Sequence, residues 1–245
     1  MKKTINNLQC SLKEIISQGW IKGCDLGHGS AGLTLEKLLK IPNNNFEIPD
    51  YNGIELKTKS GSFSEYITLF NISPDSILFS AQYLKDHYGY PDKDFAKFKV
   101  FNLSFDCKNI KYTRDWKFII KTDYESKIVQ LMISDKYGNF TDNSISWTFE
   151  SIEEKLLRKL KYLAMVSASN KVINKEKFFK YNNFKIYKLT TFEKFLELLE
   201  QGKIRITFKI GIFKSGKRFG QTHFHGVGFE LNYNAITELF EKIRV

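Results

Sequence analysis

The chain has 245 residues, 42% of them hydrophobic, which is enough for one large domain or two lobes with a real core and excludes a disordered segment. Lys and Arg number 38 against 27 Asp and Glu, and the net +11 suits a polyanion, nucleic acid before an anionic membrane surface. Cys10, Cys24 and Cys107 are far apart and form no CxxC pair, which excludes a zinc ribbon and a disulfide framework and points to a reducing, cytoplasmic compartment.

Met1-Lys2-Lys3-Thr4 runs on into polar Asn6, Asn7 and Gln9, so no signal peptide is expected. No apolar run approaches the ~20 residues that span a bilayer. Leu8, Leu12, Ile15 and Ile16 recur at helical spacing and predict a helix over 8–18. A glycine cluster follows (Gly23, Gly27, Gly29 and Gly32, with His28 and Ser30), then a helix over 33–40 that stops before Pro42. A strand is expected over 53–59, a turn at Ser60-Gly61-Ser62, and a hairpin partner over 66–70. The middle is β-rich, with strands over 99–105, 117–121, 128–134 and 144–149 and a turn at Tyr137-Gly138-Asn139. Ser151 and Glu154 fit a capping box that opens a long helix. Ile152, Leu156, Leu157, Leu160 and Leu163 form its apolar stripe. Lys155, Arg158, Lys159 and Lys161 read as a solvated basic face, a phosphate track being the lesser reading. The polar stretch 171–181 reads as a joint between lobes. A strand over 184–189 leads to a helix opened by Thr190 and Glu193 and ended by Gln201-Gly202. A strand over 205–213, a basic turn over 214–221, a strand over 222–231 and a closing helix over 233–243 complete the chain. The order predicts an α+β fold, a mixed β-sheet flanked by helices, in two lobes over 1–168 and 169–245.

The most informative stretch is Pro49-Asp50-Tyr51-Asn52-Gly53-Ile54-Glu55-Leu56-Lys57. Side chains alternate along a strand, so Glu55 and Lys57 share one face while Ile54 and Leu56 point into a core. Gly53 permits a bend that brings the Asp50 carboxylate beside Glu55. Asp50 and Glu55 can ligate Mg²⁺, with the Leu56 carbonyl as a further oxygen. A cation so held lowers the pKa of water and offsets charge on a phosphorus, and Lys57 can orient the attacking water or neutralise the phosphate. Asp-x4-Glu-x-Lys fits the PD-(D/E)xK nuclease pattern, here with a literal Pro-Asp. An exposed ion pair between Glu55 and Lys57 is the plain alternative. Glu36, on the helix just upstream, is a candidate third carboxylate; its plain alternative is an i,i+4 pair with Lys40.

These residues resemble the MvaI/BcnI-type restriction endonucleases, cousins of the MutH repair nickase. The matching blocks are "GLTLEKLLKIPNNNFEIPDYNGIELKTK" and, near the C-terminus, "SGKRFGQTHFHGVGFEL". The resemblance implies a Type II endonuclease whose catalytic and recognition lobes grip duplex DNA in a cleft. It implies a Mg²⁺-dependent monomer that nicks the two strands in turn at a short, G/C-rich, nearly symmetric site. A methyltransferase would protect the host. Asp50, Glu55 and Lys57 would be catalytic, Glu36 would serve as ligand or neighbour to the metal, and His223-Phe224-His225-Gly226 would read bases. The family usually carries arginine where this chain has Glu230, and an acid where it has Phe224. Arginine suits guanine, whereas glutamate accepts from an amino group, so the target sequence is expected to differ.

His223 and His225 lie two apart on one strand face, in a Gly-flanked basic segment with Lys214, Lys217, Arg218 and Thr222. Metal ligation would want a third donor, and only Glu230 offers one, so DNA contact is the better reading. Lys217 and Arg218 suit phosphates, which position without specifying. His28 reads as a loop residue, Tyr66 and Phe63 as possible DNA-lining aromatics. The competing readings are a MutH-like nickase that answers to partner proteins, a non-catalytic DNA-binding module and, last, a membrane-surface protein.

Overall fold

Residues 1–27, 29–42, 48–60, 65–76 and 80–244 are described by a computed structural model. His28, Phe63 and most of the Ser60-Gly61-Ser62 turn lie outside them. In chain order the first elements are α1 (Lys2–Ser17), β1 (Trp20–Lys22), α2 (Ser30–Leu38), β2 (Glu55–Ser60), β3 (Tyr66–Asn71), α3 (Ala81–Tyr88) and β4 (Tyr90–Pro91). Next come β5 (Lys99–Phe105), β6 (Lys111–Tyr112), β7 (Trp116–Asp123), β8 (Ile128–Asp135), β9 (Phe140–Thr148) and α4 (Phe149–Leu160). The last are β10 (Tyr162–Ile173), β11 (Glu176–Leu189), α5 (Phe192–Glu200), β12 (Ile204–Ile212), β13 (Thr222–Asn232), α6 (Ile236–Leu239) and β14 (Phe240–Lys242). The fold is α+β, as expected.

Two compact units form, each from separate stretches: 1–64, 157–190 and 240–245 in the first, 65–156 and 191–239 in the second. The sequence suggests one boundary, near residue 168. That boundary would fall inside β10, which pairs with β11 from Tyr162 to Ile173. The stretch 171–181 is therefore the tip of a hairpin rather than a joint.

The first unit holds one sheet, ordered β1-β11-β10-β2, with β14 also on β11. β2 runs parallel to β10; the other pairs are antiparallel. One face is apolar for the reason expected, strand alternation. Leu56, Ala164, Val166, Ala168, Phe179, Tyr181 and Ile186 meet Ile5, Leu8, Leu12 and Ile15 of α1 and Ala31 and Leu35 of α2. The Tyr181 hydroxyl donates to the Ala31 carbonyl at 2.8 Å, which ties α2 to the sheet.

In the second unit the sheet β3-β13-β12-β5-β4 accompanies the sheet β6-β7-β8-β9. Phe101, Phe105, Phe118, Trp147, Phe208 and Phe229 are buried, and Phe105 and Phe118 lie 5.0 Å apart. β12 alternates strictly: Ile204, Ile206, Phe208, Ile210 and Ile212 are buried, and Arg205, Thr207, Lys209 and Gly211 face out. β3 joins β13 rather than β2, so the expected hairpin does not form.

The caps differ from the sequence reading by small shifts. The Thr148 hydroxyl accepts from the Ser151 amide at the start of α4, whereas Ser151 instead donates to Asp75. Thr191, not Thr190, caps α5. The expected closing helix is a 3-10 turn, the short α6 and β14, since β11 offers β14 an edge. No described helix is long and apolar enough to cross a membrane.

Candidate active site and nucleic-acid face

The first unit assembles the Asp50 motif from one turn and one strand. Tyr51 and Ile54 exchange both backbone hydrogen bonds at 2.9 Å, with Asn52 at φ +45° and Gly53 at φ +91° between them. Two such residues in succession make the tight turn of a hairpin, and a glycine is the natural occupant of the second place. The turn returns Asp50 to β2, where its Oδ2 accepts from the Leu56 amide at 2.8 Å. Leu56 itself is buried in the helix-facing core.

Glu55 points the other way and is 3% exposed. Its Oε1 lies 2.9 Å from Lys57 Nζ, and its Oε2 lies 2.9 Å from Lys159 Nζ. Lys159 also donates to the Ile48 carbonyl at 2.9 Å. The basic face of α4 is thus not wholly solvated: Lys159 belongs to the site, and Lys155 is buried as well. The Lys159 contact is an ion pair without hydrogen-bond alignment, and among the described residues Oε2 accepts no hydrogen bond. A buried carboxylate oxygen with spare lone pairs has capacity for a cation.

Glu36 on α2 is half-buried, and no ion pair joins it to Lys40 among the described residues. Burial first, then the Asp50 and Glu55 charges, raise its pKa. Burial first, then Glu55, raises that of Asp50, although the Leu56 amide opposes the shift. Three carboxylates therefore repel one another here. A cavity of about 320 Å³ opens beside two of them, lined by Glu36, Ile41, Ile48, Pro49, Asp50 and Asn52 among others. Among the described residues no three side-chain donors close into a complete metal cage. Asp50, Glu55 and a backbone carbonyl instead suit a hard cation that keeps several waters.

The second unit gathers the other candidates. β13 carries a bulge: His225 and Gly226 together oppose Lys209, and Gly226 has φ +99°. The extra residue shifts the alternation, so that His223, His225 and Glu230 join Arg205, Thr207 and Lys209 on one outward face. The His223 ring stacks on Phe213 at 4.0 Å and lies 3.7 Å from His225. The Arg218 guanidinium sits 3.8 Å over Phe213. Burial first, then the charges of His225 and Arg218, lower the His223 pKa and favour a neutral ring. Thr222 donates to Gln82. Lys214 is held by Asp94 at 2.6 Å and Asp92 at 3.1 Å, while Lys217 is exposed.

Glu230 is 7% exposed and already engaged. Its Oε2 accepts from Arg205 Nη2 at 2.9 Å and Thr207 Oγ1 at 2.9 Å; its Oε1 pairs with Lys209 at 3.2 Å. Arg205 in turn lies 3.7 Å over the Tyr66 ring. Sequence reasoning missed Arg205, Thr207 and Lys209 as a group. The signal was present in the odd positions of a strand whose even positions are all apolar.

The MvaI/BcnI restriction endonuclease family model matches residues 10–240. No curated protein sequence matches the chain. A solved structure described as the restriction endonuclease MvaI–cognate DNA substrate complex is 30% identical, with TM-score 0.90, and the match covers 99% of this chain and 98% of that one. A second, MvaI in the absence of DNA, is 29% identical over the same shares, with TM-score 0.62. With nearly the whole length matched by both sequence family and structure, the chain belongs to the MvaI/BcnI restriction endonucleases.

Proposed function

We propose that the first unit hydrolyses phosphodiesters of double-stranded DNA with Mg²⁺, and that the outward face of β12 and β13 reads the sequence. The buried Glu55, held between Lys57 and Lys159 with Asp50 latched to the next amide, is the observation that carries the catalytic half. Asp50, Glu55 and the Leu56 carbonyl would hold the metal, with Glu36 beside it. Within a strand one residue's N–H and C=O point to the same side, so the Leu56 carbonyl faces the side on which Asp50 lies. The three repelling carboxylates favour any divalent cation that joins them. When bound, the cation supplies Lewis acidity toward the phosphate and water. Lys57, more exposed than Lys159, would orient the attacking water and meet phosphate charge. Lys159 would keep Glu55 aimed.

His223 and His225 would contact base edges, and Lys217 and Arg218 would contact phosphates. Lys214 is largely neutralised by Asp92 and Asp94 and adds less. Glu230, with both oxygens engaged, would act by fixing Arg205 and Lys209 rather than by accepting directly from a base. The target would be short, G/C-rich and nearly symmetric. The enzyme would work in the cytoplasm as a monomer, in a system with a cognate methyltransferase. Purified protein should cut unmodified plasmid DNA at one short sequence in magnesium buffer, with no partner protein. Asp50→Ala and Lys57→Ala should bind that sequence and cut at least about 10²-fold more slowly. Unmodified DNA left whole by the wild type would sink this reading.

A further inference from the structure

The open face of the first unit's sheet has a second population of charge, away from the Asp50 site. Positions that share a face follow from the registers. Glu55, Lys57 and Lys59 of β2 pair with Leu163, Met165 and Ser167 of β10. Ser167, Ser169 and Lys171 pair with Asn183, Lys180 and Phe178 of β11, across the bulge at 167/168. Lys180 and Phe178 pair with Trp20 and Lys22 of β1. Leu163 and Met165, beside Glu55 and Lys57, are buried, and Met165 pairs with Lys185; from Ser167 and Lys185 the exposed part of this face runs on to Trp20. The opposite face of the same strands is the packed core under α1 and α2.

This surface is wet, basic and aromatic. Ser167, Ser169, Lys180, Asn183 and Lys185 are exposed. Trp20 is 42% exposed, and Lys171 Nζ lies 4.2 Å over its ring. Glu176 is the carboxylate at this end, and it pairs with Lys22. Among the described residues no carboxylate pairs with Lys171, Lys180 or Lys185. A solvated face that served solubility alone would intersperse both signs. Here cations and hydroxyls share one side of a rigid sheet with an exposed indole.

We propose that this face is a backbone track for duplex DNA flanking the cut, an inference that rests on the nuclease reading above. The strand rise of about 3.3 Å and spacing of about 4.8 Å put Trp20 roughly 19 Å from Lys57. That is roughly five or six base-pair rises of 3.4 Å. Lys171, Lys180 and Lys185 meet phosphates there without reading sequence, and Trp20 packs against sugar or an edge of the backbone. The track supplies affinity and register, and the specificity stays with the second unit.

The test is the salt dependence of binding to a duplex several helical turns long, without divalent metal. The triple variant Lys171→Ala/Lys180→Ala/Lys185→Ala should lose about 0.9 in the slope of log K against log salt for each phosphate contact removed. The corresponding triple arginine variant should keep the slope. Lys13→Ala, exposed on α1 and so on the packed side of the sheet, should also keep it. Binding should change the fluorescence of Trp20, and that change should vanish in Trp20→Phe. If the alanine variant keeps the full slope and Trp20 does not respond, while the wild type still cuts plasmid, the track is wrong and the nuclease reading stands. A wild type that neither binds nor cuts removes both.

Discussion

Glu55 is a carboxylate between two ammonium groups of unequal exposure, 29% for the Lys57 side chain and 16% for that of Lys159. The more exposed one can reach a substrate; the more buried one cannot leave its carboxylate without strong desolvation loss. Lys159→Ala should therefore lower the cleavage rate about 10- to 100-fold, the usual scale for a residue that aims a ligand, with DNA affinity nearly unchanged. Lys159→Arg should recover much of the rate, and single-turnover cleavage beside a binding titration separates the two effects. Glu230 poses a different electrostatic case. Burial works to raise its pKa, but hydrogen bonds from Arg205 and Thr207 and the Lys209 charge outweigh burial and lower it. A lowered folded value adds stability above the ordinary 4.5 and loses it as the pH falls through the folded value. Glu230→Gln should thus unfold more easily at pH 7 by about 1–2 kcal/mol, solvent at Arg205 screening part of the pair. The gap from wild type should close as the pH drops below that range, read by denaturant melts across pH.

The bulge in β13 is the element on which the outward face depends. At Gly226 an added Cβ would meet the Asn71 side chain at 3.7 Å, an ordinary contact, so the strain of φ +99° decides the outcome. Gly226→Ala should cost about 1–2 kcal/mol of stability and should weaken discrimination between DNA sequences more than bulk affinity, as the local strand relaxes. Competition binding with cognate and unrelated duplexes reads this. The same element shows where sequence alone stops. Strict alternation predicts Glu55 opposite Leu56 and the buried isoleucines of β12 correctly, because both faces there differ sharply in polarity. It separates His225 from Glu230, because the extra residue of a bulge leaves little mark beyond Gly226. The hairpin tip 171–181 reads as a joint since its outward side is as polar as a linker, and only Phe179 and Tyr181 betray the core. Lys159 looks solvated because its partner lies far away in the chain.

For the whole molecule, the monomer proposed above sets the expected order of cutting. Asp50, Glu55 and Lys57 occur as a set once per chain. A monomer with one such site must cut the two strands in sequence, so supercoiled plasmid should pass through an open-circular form before it becomes linear. The rate should rise in proportion to enzyme concentration; a square-law rise would indicate a working dimer. The surplus of +11 should make affinity fall steeply with salt in every case. The chain crosses between its units after residues 64, 156, 190 and 239. Neither unit is a cassette. A single crossover between related genes would mix strands of the first unit's sheet before it transplanted the whole second unit. With the face of β12 and β13 reading the sequence as proposed, new targets are expected to arise by substitution in place, one side chain after another.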